Sequence, residues 1–236
     1  MTLLEELKIF VKNILHWIYS FVAFSLFFFL FPTDNSFTVQ VFNQIRQDLL
    51  PSGVQLIVTN PMSAFVLQIL ISILLSFLLT IPFFIYKIIL YLQPALLPHE
   101  KKAVLWSLFP STFLFFAGCV FSYFFLIPAT FKILYPYATI MGLLPFFSLN
   151  EFIYYVFSLM FGVGLMFLMP LFMILLSFTG IIKAEFWRRK WRHALLFFLI
   201  LSAIITPDGT GITMVMLFIP LTALYFIGYL FAKRSN

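Results

Sequence analysis

Pro94-Ala-Leu-Leu-Pro-His-Glu-Lys-Lys102 is a polar hinge between two long apolar runs, and it sets one carboxylate, Glu100, beside two lysines. Upstream of it lies Phe65–Leu92 and downstream Val104–Thr130, each long enough as a helix to cross a bilayer. A short charged connection between two such runs is what a chain shows where it leaves a membrane and re-enters it. The composition points the same way. Hydrophobic residues make up 63% of the chain and charged ones 9%, with a mean hydropathy of +1.10, whereas soluble domains carry about 25% charged residues. These 236 residues therefore read as an all-α integral membrane protein with several spans and little mass outside the bilayer. The net charge of +6 does not argue for nucleic acid, because the basic residues sit in short connections between apolar runs.

Working outward from the hinge, six apolar segments can be drawn, at roughly 14–31, 65–92, 104–130, 152–178, 194–206 and 212–232, and no repeat or linker divides them into more than one polytopic domain. The first is not expected to be a cleaved signal, since a charged stretch precedes it and no small-x-small pattern follows before Pro32. Lys and Arg then set the orientation. Lys8, Lys12, Lys101, Lys102, Lys183, Arg188, Arg189, Lys190, Arg192, Lys233 and Arg234 fall on one side of the six-span drawing, and only Arg46 and Lys132 on the other. Both termini are thus expected in the cytoplasm and the number of spans is expected to be even. Parity bears on the weakest segment, Ala194–Thr206, which as a helix is about 20 Å long against a hydrocarbon core of about 30 Å. Unless it crosses, Lys233 and Arg234 lie outside, so it is expected to thin the bilayer or draw in its flanks. Phe65–Leu92 has the opposite problem and must tilt or bend, with Pro82 as the natural bend point.

The outer connections contain Phe37-Thr-Val-Gln-Val41 and Val54-Gln-Leu-Ile-Val58, strand-like or briefly helical, and a second loop at 131–150. Together the two loops are expected to form an external cap. Ser148-Leu-Asn-Glu151 has capping-box spacing, which gives Glu151 a structural role. At the start, Leu3, Leu4, Leu7, Phe10, Val11 and Ile14 recur at helical spacing, as in an amphipathic helix lying in the membrane interface. Glu5 and Glu6 either solvate that helix and offset its lysines, or join Glu100 in receiving a cationic ligand; guanidinium pairs with carboxylate in a two-pronged geometry, most strongly where water is partly excluded.

Other polar residues read as structural. Lys87 snorkels from the end of its span, Gln68 and Gln93 offer hydrogen bonds to another helix, and Asp208 closes a turn between Pro207 and Gly209. Trp187-Arg-Arg-Lys-Trp-Arg192 fixes topology, with its tryptophans at the interface and anionic lipid as a secondary contact. Cys119 has no partner for a disulfide, and His16, His99 and His193 lie in separate segments without ligand spacing, so no metal, cofactor or catalytic residue is expected. A small-solute transporter, the alternative reading, needs ionisable or strongly polar residues near the bilayer midplane, where these runs carry only Ser, Thr, Gly, Pro and aromatic residues besides the aliphatic ones. A membrane-embedded enzyme needs convergent acids or a nucleophile with its base. The apolar runs supply neither.

Ile81-Pro-Phe-Phe-Ile-Tyr86, the hinge from Leu92 to Lys102, Gly118-Cys-Val-Phe-Ser-Tyr123, Pro128, Phe161-Gly162, Pro170, Gly180-Ile181 and Thr206-Pro-Asp208 together resemble the TatC family. Leu4-Glu-Glu-Leu-Lys8 is similar to that family's opening acidic motif. The resemblance implies a multispanning receptor of the twin-arginine protein translocase, not a catalyst. It implies that Glu6 and Glu100 bind the arginines of twin-arginine signal peptides, with Pro94, Lys101 and Lys102 shaping the loop. Implied partners are those signal peptides on folded precursor proteins, TatA-type and TatB-type single-span proteins, membrane lipid and further copies of the chain, with no nucleic acid. The implied location is the cytoplasmic membrane, or a thylakoid or other organelle membrane. The chain departs from the family pattern at Leu168-Met-Pro170 and Phe226, where acidic residues are usual, at Ser63, where glutamate is usual, and at Lys8, where arginine is usual. These departures bear on how partner helices are recognised.

Overall fold

A computed structural model of the chain describes residues 3–30, 37–50, 55–58, 60–92, 108–142, 146–178, 180, 182–206 and 211–234, with the side chains of residues 3–10, 13, 55, 88–92, 139, 146, 147 and 234 outside the description. The elements run α1 (Leu3–Leu30), α2 (Phe37–Leu49), β1 (Gln55–Ile57), α3 (Ser63–Leu92), α4 (Leu108–Phe121), a π-helical turn (Ser122–Leu126), α5 (Ile127–Ile140), β2 (Phe146–Ser148), α6 (Leu149–Phe167), α7 (Met169–Phe178), α8 (Ala184–Ile205) and α9 (Ile212–Arg234). Among the described residues, four stretches are long and apolar enough to cross a membrane, Ser63–Lys87, Leu108–Ala138, Leu149–Phe178 and Ile212–Lys233, and Ile14–Leu30 is a shorter apolar helix. Side chains follow the solvent that composition implies. Phe109, Phe113, Phe124, Leu196 and Leu230 are exposed, while the fully buried polar residues among the described ones, aromatic side chains apart, are all serines and threonines.

The chain forms two compact units, Met1–Leu97 with Pro145–Phe157, and Pro98–Leu144 with Ser158–Asn236. In the first, α1 packs on α3, and the outer segments meet as a two-stranded parallel sheet pairing Gln55 with Phe146, Leu56 with Phe147 and Ile57 with Ser148. Of the two options open for the first outer loop, residues 37–49 are helical and residues 55–57 are strand. Asn150 Nδ2 donates to Ser63 Oγ at 3.4 Å, a second tie between the outer segments. Glu151 lies in the first turn of α6, as the capping-box spacing requires. Yet among the described residues neither Ser148 nor Glu151 makes a side-chain hydrogen bond, because Ser148 is held in the strand pair.

Helix α3 is continuous through Pro82. Its buried hydroxyls run down one face at four-residue steps: Ser72 Oγ donates to the Gln68 carbonyl at 2.7 Å, Ser76 Oγ to that of Ser72 at 2.6 Å, and Thr80 Oγ1 to that of Ser76 at 2.8 Å. Each polar group is thereby satisfied inside its own helix, as a lipid surrounding demands.

In the second unit the helix expected to end near Thr130 continues to Ile140, which seats Phe131 in the core and leaves Lys132 exposed. Between α4 and α5 the backbone widens into the π turn, with Ile127 N–H donating to the Ser122 carbonyl. The run expected to form one segment at 152–178 is two helices. Pro170 cannot donate to the Met166 carbonyl, and tight bonds from Leu168 N to Leu165 O (3.1 Å) and from Leu171 N to Leu168 O (3.0 Å) replace the regular ladder there. The short segment at 194–206 is the apolar half of α8, a 22-residue helix of about 33 Å that starts at Ala184. Its charged flank is helical and makes up the missing length.

Candidate functional site

Aromatic side chains set the register of α1 against α3. Phe29 meets Phe65 (ring centroids 5.6 Å apart), Phe21 meets Phe77 (6.4 Å), and Trp17 meets Phe77 (6.4 Å) and Phe84 (4.6 Å). Gln68 Nε2 donates to the Phe29 carbonyl at 3.1 Å. That carbonyl belongs to the last turn of α1 and has no partner within its own helix, so the amide expected to bind another helix does so. The contacts step backwards along α1 as they step forwards along α3, which makes the pair antiparallel. Continued at 1.5 Å per residue on both helices, this register brings the first turns of α1 beside the last turn of α3. Sequence puts Glu6 in those first turns and Pro94 two residues beyond Leu92.

Of the residues expected to bind a signal peptide, Glu6 lies in α1 with its side chain outside the described residues; Pro94, Glu100, Lys101 and Lys102 lie outside them altogether. Gln93 and Asp208 do as well. Lys87 is half-buried on α3, with Nζ 5.0 Å from the centre of the Phe83 ring. Its charge is eased by the ring face while its stem stays on the helix.

The second unit carries the largest cluster of described cations. Arg188, Arg189, Lys190 and Arg192 are exposed on α8, and Arg192 stacks over Trp191 with 5.5 Å to the ring centre. The helix beneath them is pinned by a chain of bonds that no motif or periodicity foreshadows. Trp187 Nε1 donates to Ser177 Oγ at 3.0 Å and the buried Tyr225 hydroxyl to the Trp187 carbonyl at 2.7 Å, which ties α7, α8 and α9 together. Near the positions where an acid is usual in the family resembled, Leu168 is buried in the turn between α6 and α7, and Phe226 is exposed, 6.4 Å from the Trp191 ring. Close packing fills this region: a Cβ on Gly228 would come within 2.9 Å of Pro170 Cα. Among the described residues, no cluster of His, Cys, Asp or Glu is able to hold a metal ion.

A family model described as Sec-independent protein translocase protein (TatC) matches residues 3–220. The Sec-independent protein translocase protein TatC of Cenarchaeum symbiosum is 35% identical over 202 residues, covering 86% of this chain and 76% of that protein. The tatC-like protein ycf43 of Porphyra purpurea is 32% identical over 209 residues, covering 87% and 81%. A crystal structure of the twin-arginine translocase receptor TatC superposes with a TM-score of 0.82 at 28% identity, over 97% of this chain and 99% of that one.

Proposed function

The chain belongs to the TatC family of Sec-independent protein translocases, and from that premise we propose that it is the receptor of a twin-arginine translocase, binding twin-arginine signal peptides at the cytoplasmic face. The family is one of protein transport, not of catalysts. The observation that carries the reading is the antiparallel register of α1 and α3, which runs the helix bearing Glu6 towards the residues that lead into Pro94 and Glu100. Two carboxylates from separate elements meeting at one membrane surface suit two adjacent arginines. Each guanidinium takes one carboxylate through paired hydrogen bonds, where a lysine offers only a point charge. Lys101 and Lys102 then keep the loop at the cytoplasmic surface, and Pro94 fixes its entry.

In this reading the chain is one polytopic domain with six spans and both termini in the cytoplasm. Span one is the apolar part of α1 and span five the apolar half of α8; the paired outer segments form the external cap. The apolar part of the signal peptide lies along the helices. TatA-type and TatB-type single-span proteins and further copies of the chain pack against the lipid-facing sides, and the protein resides in the cytoplasmic membrane or its organelle counterpart.

Site-specific crosslinking from position 100 to a twin-arginine signal peptide, with a twin-lysine peptide as control, tests the reading. Selective capture of the arginine form is expected. Glu6→Gln and Glu100→Gln are each expected to weaken binding about tenfold or more, the scale of one charge-assisted hydrogen bond. Equal capture of both peptides, or unaltered export of a folded twin-arginine precursor in both variants, would overturn it.

A further inference from the structure

The start of α8 and the end of α9 frame a half-open recess of about 410 Å³ lined by Lys183, Ala184, Glu185, Arg188, Tyr229 and Lys233, within the range of about 300–1,000 Å³ usual for small-ligand sites. Three cations face one carboxylate there. Among the described residues, no ion pair or side-chain hydrogen bond holds Lys183, Arg188 or Lys233. Lys183 occupies the N-cap position of α8, where its carbonyl accepts from Phe186 N–H at 2.9 Å, and the positive dipole end of that helix adds to the cationic field.

The surroundings of the cavity narrow the ligand. On α9 the exposed residues Phe226, Ile227, Leu230 and Phe231 form an apolar strip leading up to Lys233, and on α8 Phe186 and Trp191 are exposed beside the basic residues. An anion-binding recess at the end of a lipid-facing strip matches an amphiphile, with its charge in the recess and its chains along the strip. A free anion or an acidic protein has no use for the strip.

We propose that this cavity binds the phosphodiester headgroup of an anionic glycerophospholipid. Lys183, Arg188 and Lys233 take the phosphate oxygens and the Tyr229 hydroxyl donates to the headgroup. Glu185 accepts from a headgroup hydroxyl, and the acyl chains lie along α9. The site is separate from the signal-peptide reading and stands or falls without it.

The full-length chain in detergent micelles, offered equal amounts of dioleoyl phosphatidylglycerol and dioleoyl phosphatidylcholine, tests this by native mass spectrometry. Retention of phosphatidylglycerol over phosphatidylcholine by about tenfold is expected. The K183Q/R188Q/K233Q variant should lose that preference. The R189Q/K190Q/R192Q variant, which removes as many cations from outside the cavity walls, should keep it. Equal retention of both lipids by the unaltered chain would overturn the proposal, whatever the variants do. So would a preference that survives in the first variant, or equal loss in the two variants, which marks general surface charge. Displacement of the lipid by millimolar inorganic phosphate would mark a free-anion site and overturn it too.

Discussion

Gly118 and Gly164 show how little room separates two helices of the second unit. A Cβ on Gly118 would sit 2.9 Å from both Gly164 Cα and the Val163 carbonyl oxygen, and one on Gly164 would sit 2.8 Å from Phe115 Cε2. Lipid tails are as apolar as the side chains, so helices in a membrane gain mainly by close packing, and small residues permit it. Gly118→Ala must push backbone away from backbone, at a cost of about 1–3 kcal/mol. A lower thermal midpoint in detergent is expected; an unchanged midpoint would mean the helices can part at no cost. Tyr225→Phe removes the bond to the Trp187 carbonyl and is expected to cost about 0.6 kcal/mol, at most about 1.7, as interhelical bonds in membranes do. Combined with Ser177→Ala in a double-mutant cycle, it should show coupling, because both bonds hold Trp187. Sequence allowed for the helix-to-helix bond of Gln68, since an amide in an apolar run must find a partner. It gave no reason to single out Tyr225, since a tyrosine in a phenylalanine-rich span reads equally well as lipid-facing.

At the scale of elements, proline separates what was legible from what was not. Pro82, Pro136 and Pro220 all lie inside helices that continue past them, whereas the ladder is remade around Pro170 and α6 gives way to α7. Every proline removes one donor. Whether the helix tolerates the loss depends on the packing around it, which one sequence does not contain. Pro170→Ala restores an amide opposite the Met166 carbonyl, so slower hydrogen exchange across residues 168–172 is expected; unchanged exchange would place the cause of the break in the packing of Leu168. The charged flank of α8 was hidden for a similar reason. Hydropathy sees where apolar residues stop, but a helix carries on through arginine and lysine, which are good helix formers. The π turn at Ser122–Leu126 left no periodic trace, since five residues are too few to shift the pattern.

At the scale of the whole molecule, the proposed topology rests on the charge bias; four of its six crossings are the long apolar stretches among the described residues, and it assigns the other two to Ile14–Leu30 and the apolar half of α8. On a Cys119→Ser background, which removes the chain's one thiol, cysteines placed at Arg46 and Lys132 are expected to react with an impermeant maleimide in intact cells. Cysteines at Lys190 and Lys233 are expected to react only after the membrane is opened. Labelling of position 233 from outside would show that α8 does not cross. The hinge and its carboxylate stood out in the sequence because charge is scarce there. The pairing of α1 with α3 did not, because it depends on which of many similar aromatic rings meet. A proton hops along a chain of hydroxyls only if each accepts one hydrogen bond and passes another to the next hydroxyl. Ser72, Ser76 and Thr80 each spend their hydrogen on a backbone carbonyl, which has none to pass on. The stripe is therefore no relay for protons, which suits a membrane whose ion gradient any leak would drain.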